Sequence, residues 1–380
     1  TESSDLSKYT TADRELSTVS QIYIDPRTGE VTYEKPSSGG GTKPQTEPTQ
    51  EAPPELLPFD YFVAEDDGTS ALNAYLLSQL SMGVYSTALN ELEFHLDLME
   101  KFQPQGISTF DIDVKMDHDS GCELAVFTIG KATVIAFRGT SGLGTTNPDR
   151  DVEIDLMDVP IKVKVNEKEC RVHQGFWEST DGVYDWVFEK ALEAHLDGQK
   201  IYLTGHSLGG ARATVAAFRL HYDDGIPVHS LQTFGSPKVG DIDFKTMFSD
   251  LGPNDVKLAE VTERYVVLGD PATTFPEKEA IGVNWKGPIW VYYHHVGKTH
   301  NINPLTGTNS TAYDIDFDSG EIFFIPTASQ WYGFLNGVGD NEHMLYDDAL
   351  LYEVVTDNQY VDIKDLLLEH ESVVQTAIGE

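Results

Sequence analysis

Lys200-Ile-Tyr-Leu-Thr-Gly-His-Ser-Leu-Gly-Gly-Ala211 is the stretch on which the fold turns. Ile201 to Leu203 is a short apolar run of β-forming residues, and Ala211 to Leu220 favours helix. Between them, Gly205-His206-Ser207-Leu208-Gly209 has the Gly-x-Ser-x-Gly spacing of a nucleophile elbow. Such a turn is so sharp that Ser207 is expected in strained backbone geometry, its hydroxyl pushed clear of the sheet. Gly205 and Gly209 are small because strand and helix approach there more closely than a Cβ allows. The following helix aims its first N–H groups at the place where an oxyanion would form. The pattern alone also fits an ordinary Gly-rich turn. A strand before it, a helix after it and a further glycine at 210 make Ser207 a candidate nucleophile.

The chain of 380 residues is long enough for one large α/β domain with appendages or for two modest domains. Lys plus Arg number 26 and Asp plus Glu number 62, a formal charge of −36. That balance repels nucleic acid and anionic membranes alike, so neither is an expected partner. It fits a salt-adapted carboxylate surface or the solubility of an exported protein, and the expected localisation is secreted or extracellular. The longest apolar runs, such as Val134 to Phe137, are strand-sized, so no transmembrane segment is expected. Cys122 and Cys170 are too few for a disulfide framework; they read as a single pair or as buried small apolar residues.

Three segments are expected. Residues 1–35 form an N-terminal extension whose Gln21 to Tyr33 alternates about a Pro26-Arg-Thr-Gly29 turn, a β-hairpin pattern. Residues 36–58 are a Pro/Gly/Ser-rich linker, and 59–380 the compact domain. There, Asp67-Gly-Thr-Ser70 starts a helix carrying Leu72, Leu76 and Leu80, and a second helix covers about 89–102. Glu123 to Ile129 and Ala132 to Phe137 read as buried strands joined by Gly130-Lys131. A helix over 178–196, strands at 230–234, 263–268, 290–296 and 315–325, and a helix from about 342 complete the pattern. Alternating strands and helices imply a mostly parallel central sheet covered by helices on both faces.

Val134-Ile-Ala-Phe-Arg-Gly-Thr140, Val172-His-Gln-Gly-Phe176, Thr204-Gly-His-Ser-Leu-Gly-Gly210, Thr233-Phe-Gly-Ser-Pro-Lys-Val-Gly240 and Arg264 to Pro276 occur in that order. Together they resemble the class-three (fungal-type) lipases of the α/β-hydrolase fold, over roughly residues 60 to 355. The resemblance implies a triacylglycerol lipase acting through an acyl-enzyme on Ser207, on a lipid or ester substrate at an interface, with no cofactor. Phospholipase A1, a feruloyl-type or short-chain esterase, and a non-catalytic lipid- or partner-binding module stay open beside it. No oligomeric state follows from the sequence.

An elbow serine needs a base and a carboxylate to orient it, in chain order serine, acid, histidine. Arg264-Tyr-Val-Val-Leu-Gly-Asp270 reads as a strand, a glycine turn and then an acid, and Asp270 also falls where the family keeps its acid. Asp241, Asp243 and Asp255 are rivals in polar loops. His343, in Asp340-Asn-Glu-His-Met-Leu-Tyr346, resembles the family's late Asp-His-Leu-x-Tyr element; His295 is its rival. The oxyanion donors are the N–H of Leu208, which follows the nucleophile, and by resemblance Thr140.

The polar segment 141–150 makes a poor amphipathic lid. Phe324, Trp331 and Phe334 lie in an aromatic stretch that reads either as an acyl-chain wall or as core, and His206 reads as a substrate-pocket residue or as a packing or hydrogen-bonding neighbour of the nucleophile. Arg212 stands where the family usually has an apolar residue, and the sequence assigns it no role. His294, His295 and His300 have no metal-ligand spacing, and Asp314 to Gly320 reads as a charged hairpin rather than a calcium loop, so no metal is expected.

Overall fold

The computed structural model describes residues 22–24, 31–33, 56–66, 68, 70–140, 159–284, 287–302, 346–356, 358–360, 363–364 and 366–368. Two compact units are present, residues 1–54 and 55–380. In the first, β1 (Ile22–Ile24) pairs antiparallel with β2 (Val31–Tyr33), with Ile22 opposite Tyr33. The alternating Ile-Tyr-Ile and Val-Thr-Tyr triplets supply the strand preference.

The second unit opens with α1 (Ala71–Gly83) and α2 (Glu91–Phe102). Ser70 caps α1, its hydroxyl accepting the Asn73 N–H at 3.2 Å, and Asn90 caps α2 in the same way. Three antiparallel strands follow: β3 (Ile112–Asp117), β4 (Cys122–Ile129) and β5 (Ala132–Phe137). Next come the hairpin β6 (Pro160–Val165) and β7 (Lys168–His173), then α3 (Gln174–Leu196). The elbow strand is β8 (Lys200–His206), and its helix is α4 (Leu208–Tyr222). Then β9 (Ser230–Phe234), α5 (Ile242–Phe248), β10 (Thr262–Val267), the pair β11 (Lys278–Asn284) and β12 (Gly287–Tyr292), β13 (Lys298–Ile302) and α6 (Tyr346–Thr356) complete the described elements.

Seven strands form the main sheet in the order β13-β10-β9-β8-β5-β4-β3. From β5 to β13 every pairing is parallel; β3, β4 and β5 pair antiparallel. The inner strands are buried on both faces, which is why they read as continuous apolar runs. Successive residues of one strand enter opposite cores. On β8, Ile201 and Leu203 face the cluster with Val187 of α3 and Val215 of α4, while Tyr202 faces the cluster with Leu76 of α1 and Leu350 of α6.

Several sequence readings need correction. Helix α3 begins at Gln174 rather than near 178, because His173 caps it and Gly175 and Phe176 fit its first turn. The expected 290–296 strand is shifted to Gly287–Tyr292, where it pairs with β11. β3 was not legible, since Ile112-Asp-Val-Lys-Met-Asp is an edge strand alternating with charges. Cys122 and Cys170 are both buried free thiols in one core cluster, so they do not pair. Lid segment 141–150, the 315–325 strand, the 314–320 hairpin and the start of the last helix near 342 lie outside the described residues.

The elbow is set by backbone contact. A Cβ on Gly205 would lie 2.3 Å from the Gly209 carbonyl, and one on Gly209 would lie 2.2 Å from the Phe137 carbonyl oxygen. Neither neighbour is a side chain that swings aside. Gly209→Ala is therefore expected to destabilise the fold by about 1–3 kcal/mol, the range for overpacking. A lowered denaturation midpoint against wild type checks it.

Candidate active site

Ser207 links β8 to α4 with φ 58° and ψ −130°, left-handed backbone that a non-glycine residue adopts at a cost of order 1–3 kcal/mol. Its own N–H donates to the Phe234 carbonyl at 2.9 Å, which ties the turn to the end of β9. Its carbonyl accepts the Gly210 N–H at 2.9 Å, closing the first turn of α4. The earliest N–H groups of that helix, starting at Leu208, have no acceptor inside it.

The turn Arg138–Thr140 runs directly beside the elbow. A Cβ on Gly139 would meet the His206 carbonyl at 2.5 Å and the Tyr85 hydroxyl at 2.1 Å. Only a glycine lets this turn lie against both. Arg138 is buried, its guanidinium 2.6 Å from the Glu123 carboxylate and its N–H 2.9 Å from the Glu123 carbonyl. Losing either partner would strand a buried charge, so the pair fixes the turn's start more than it adds net stability. Thr140, half-buried, follows within the same turn.

Asp270 is buried three residues past the end of β10. One carboxylate oxygen accepts the Ala272 N–H at 2.9 Å and the other accepts the Tyr346 hydroxyl at 2.6 Å. Burial, reinforced by the Asp270 charge, holds the Tyr346 phenol well above its ordinary range, so it stays protonated and donates. The Tyr346 hydroxyl oxygen in turn accepts the Val267 N–H at 3.0 Å. The Tyr346 ring packs edge-on to the His206 ring at 5.6 Å, and His206 Nδ1 is hydrogen-bonded to Tyr85 at 2.9 Å. A continuous path of contacts thus joins Asp270, Tyr346, His206 and Tyr85 to the elbow and to Gly139.

His206 is 1% exposed, held between two tyrosine rings. His295 is buried; its Nε2 donates to the Thr273 carbonyl at 2.7 Å, and burial keeps it well below the usual imidazole range. A ring so engaged is poorly suited to take a proton from Ser207. His300 donates to the buried Glu263 at 2.6 Å. The rival acid Asp241 caps α5, accepting the Phe244 N–H at 3.0 Å. His343, Phe324, Trp331 and Phe334 lie outside the described residues.

Sequence reasoning assigned no role to Tyr85 or Tyr346. Tyr85 belongs to no motif, and Tyr346 is marked only as the last position of the Asp340 to Tyr346 element. Arg212, unassigned before, is fully buried among backbone acceptors.

A mostly parallel sheet covered by helices, with a strained serine at a strand-to-helix turn, is the α/β-hydrolase architecture. Residues 134–279 match the profile of the lipase (class 3) family. Secreted mono- and diacylglycerol lipase 2 of Gibberella zeae is 28% identical over 230 residues, 55% of this chain and 52% of that protein. Secreted mono- and diacylglycerol lipase A of Penicillium cyclopium is 26% identical over 57% of this chain and 63% of that one. This chain thus spans between half and two thirds of the length of these two relatives. The crystal structure of a lipase from Rhizopus microsporus var. chinensis overlays with a TM-score of 0.42 at 19% identity, over 70% of this chain and 85% of that one.

Two outcomes follow from the buried polar groups. Tyr346→Phe removes a donor from Asp270 and an acceptor from Val267, and should cost about 1–3 kcal/mol in urea unfolding. His173, buried against Phe176, is pushed down to about 3 by desolvation and enters the fold neutral. Below about pH 6.5 the unfolded chain therefore takes up a proton that the fold refuses, and stability falls with pH down to about 3. His173→Asn should flatten that fall by up to about 1.4 kcal/mol per pH unit, read as the difference between wild-type and variant unfolding profiles.

Proposed function

We propose that the protein is a serine carboxylester hydrolase that cleaves acylglycerol esters. The observation that carries this reading is Ser207 at φ 58° on a strand-to-helix elbow, with the Arg138–Thr140 turn packed against the same backbone. Ser207 is the nucleophile, and the N–H groups of Leu208 and Thr140 are the oxyanion donors. Asp270 is the acid: its carboxylate is buried just beyond β10 and held in place by the Ala272 N–H and the Tyr346 hydroxyl. His343 is the base. It precedes Tyr346 by three residues, a reach of at most about 11 Å from the residue that grips Asp270.

His343 takes the proton of the Ser207 hydroxyl as Oγ attacks the ester carbonyl. The tetrahedral oxyanion is held by Leu208 and Thr140, a contribution of about 10²–10³ in turnover for each donor. Asp270 orients the imidazole and balances the imidazolium that forms. The imidazolium returns its proton to the leaving alcohol, and water then hydrolyses the acyl-enzyme through the same steps.

The names of the matched relatives favour mono- and diacylglycerols as substrates, and secretion as the route to them. Among the described residues no helix is long and apolar enough to cross a membrane. The −36 charge suits a neutral lipid surface better than an anionic one.

Ser207→Ala is expected to keep the circular dichroism spectrum and denaturation midpoint of wild type while turnover of a soluble p-nitrophenyl ester falls by at least about 10³-fold. Wild type, not the variant, should be labelled by an organophosphonate. Retained turnover in the variant sinks Ser207 as the nucleophile; a wild type with neither turnover nor label on Ser207 sinks the enzyme reading and leaves a binding module.

A further inference from the structure

Arg212 lies five residues beyond Ser207, on α4, and is fully buried. A guanidinium taken out of water is tolerated only when its N–H groups find acceptors. Those of Arg212 reach three segments that arrive from different parts of the chain. Nη1 donates to the Arg138 carbonyl at 3.0 Å, Nη2 to the Gly121 carbonyl at 3.0 Å, and Nε to the Ser179 hydroxyl at 3.2 Å. Gly121 leads into β4, Ser179 sits on α3, and Arg138 opens the turn that carries Thr140. One planar fork therefore clamps the elbow helix to that turn, a span that a lysine ammonium on its flexible stem does not match.

We infer that Arg212 is a positioning residue for the oxyanion site, setting the separation between the Leu208 and Thr140 N–H groups. The inference rests on the proposed assignment of those two groups as donors. Both are backbone donors, so no side-chain rotation corrects an error in their spacing. Leu208 and Arg212 ride on one rigid helix, a turn apart; Arg138 and Thr140 are two residues apart in one turn. The bond from Arg212 to the Arg138 carbonyl joins the two rigid pieces at that point. A misplacement of about 1 Å at such a site is enough to cost on the order of 10²-fold in rate.

The test compares wild type with Arg212→Lys and Arg212→Met. Active sites are titrated with an organophosphonate; kcat per titrated site and KM are measured on a soluble p-nitrophenyl ester; and inhibition by an alkylboronic acid, whose tetrahedral adduct draws on the same donors, is measured alongside. The expected result is a fall of about 10- to 100-fold in kcat per site, with KM changed less than about threefold. Boronate affinity should fall by the same factor as kcat/KM. An arginine that only holds the fold together would lower the titratable fraction and the denaturation midpoint, yet leave kcat per site and boronate affinity at wild-type values. That result overturns the inference while leaving the esterase reading intact. Wild type that the organophosphonate does not titrate overturns both. Should both Arg212 variants fail to fold, Ser179→Ala removes a single acceptor: a smaller fall in kcat per site at constant KM supports the clamp, and an unchanged kcat per site refutes it.

Discussion

A steric constraint at the end of the central strands governs the rest of the structure. The backbone of β5 at Phe137 and that of α4 at Gly209 touch with no room for a methyl group, and Gly205 meets Gly209 just as closely. With that contact in place, the chain has no conformation for Ser207 other than the strained one it adopts. The same closeness brings the strand end that becomes Arg138–Thr140 alongside the head of α4. Ser207 and the Arg138–Thr140 turn are thus joined through backbone, and both inherit the rigidity of a sheet buried on its two faces.

Around this contact, the buried polar groups divide into two kinds. Arg138 with Glu123, Arg212 with its carbonyl acceptors, and His295 with Thr273 have their hydrogen bonds directed at backbone or at one another, which fixes loops where a β-ladder has ended. Asp270 differs. The Ala272 N–H and the Tyr346 hydroxyl hold its carboxylate in place, and Tyr346 arrives from α6. Desolvation works on both kinds in one direction, penalising charge. It leaves Tyr346 a reliable donor and His173 and His295 neutral, and so links the site's geometry to the protein's response to acid.

The division of labour between side chain and backbone bears on specificity of fold. A buried charged pair such as Arg138–Glu123 adds little net stability, but an alternative packing would leave one of its charges unpaired. Two fully buried arginines near the elbow make misplacing this region costly in a way that interchangeable leucines would not.

The elbow was legible from residues 200–211 alone, because Gly-x-Ser-x-Gly between a β-type run and a helical run admits few backbone solutions. Strands 122–129, 132–137 and 230–234 were legible too, since strands buried on both faces must be apolar throughout. Edge strand 112–117 was not, because its charges face water and blur the alternation. The sequence also marked Asp270 by its place after a strand and a glycine turn, and left His295, Asp241 and other candidates standing beside the favoured ones. Only the tertiary structure gave His295 and Asp241 structural partners, linked Asp270 through Tyr346 and His206 to the elbow, and gave Arg212 a place. Those contacts join residues separated by tens to hundreds of positions, and local pattern carries no information about which distant carbonyl a buried donor will meet.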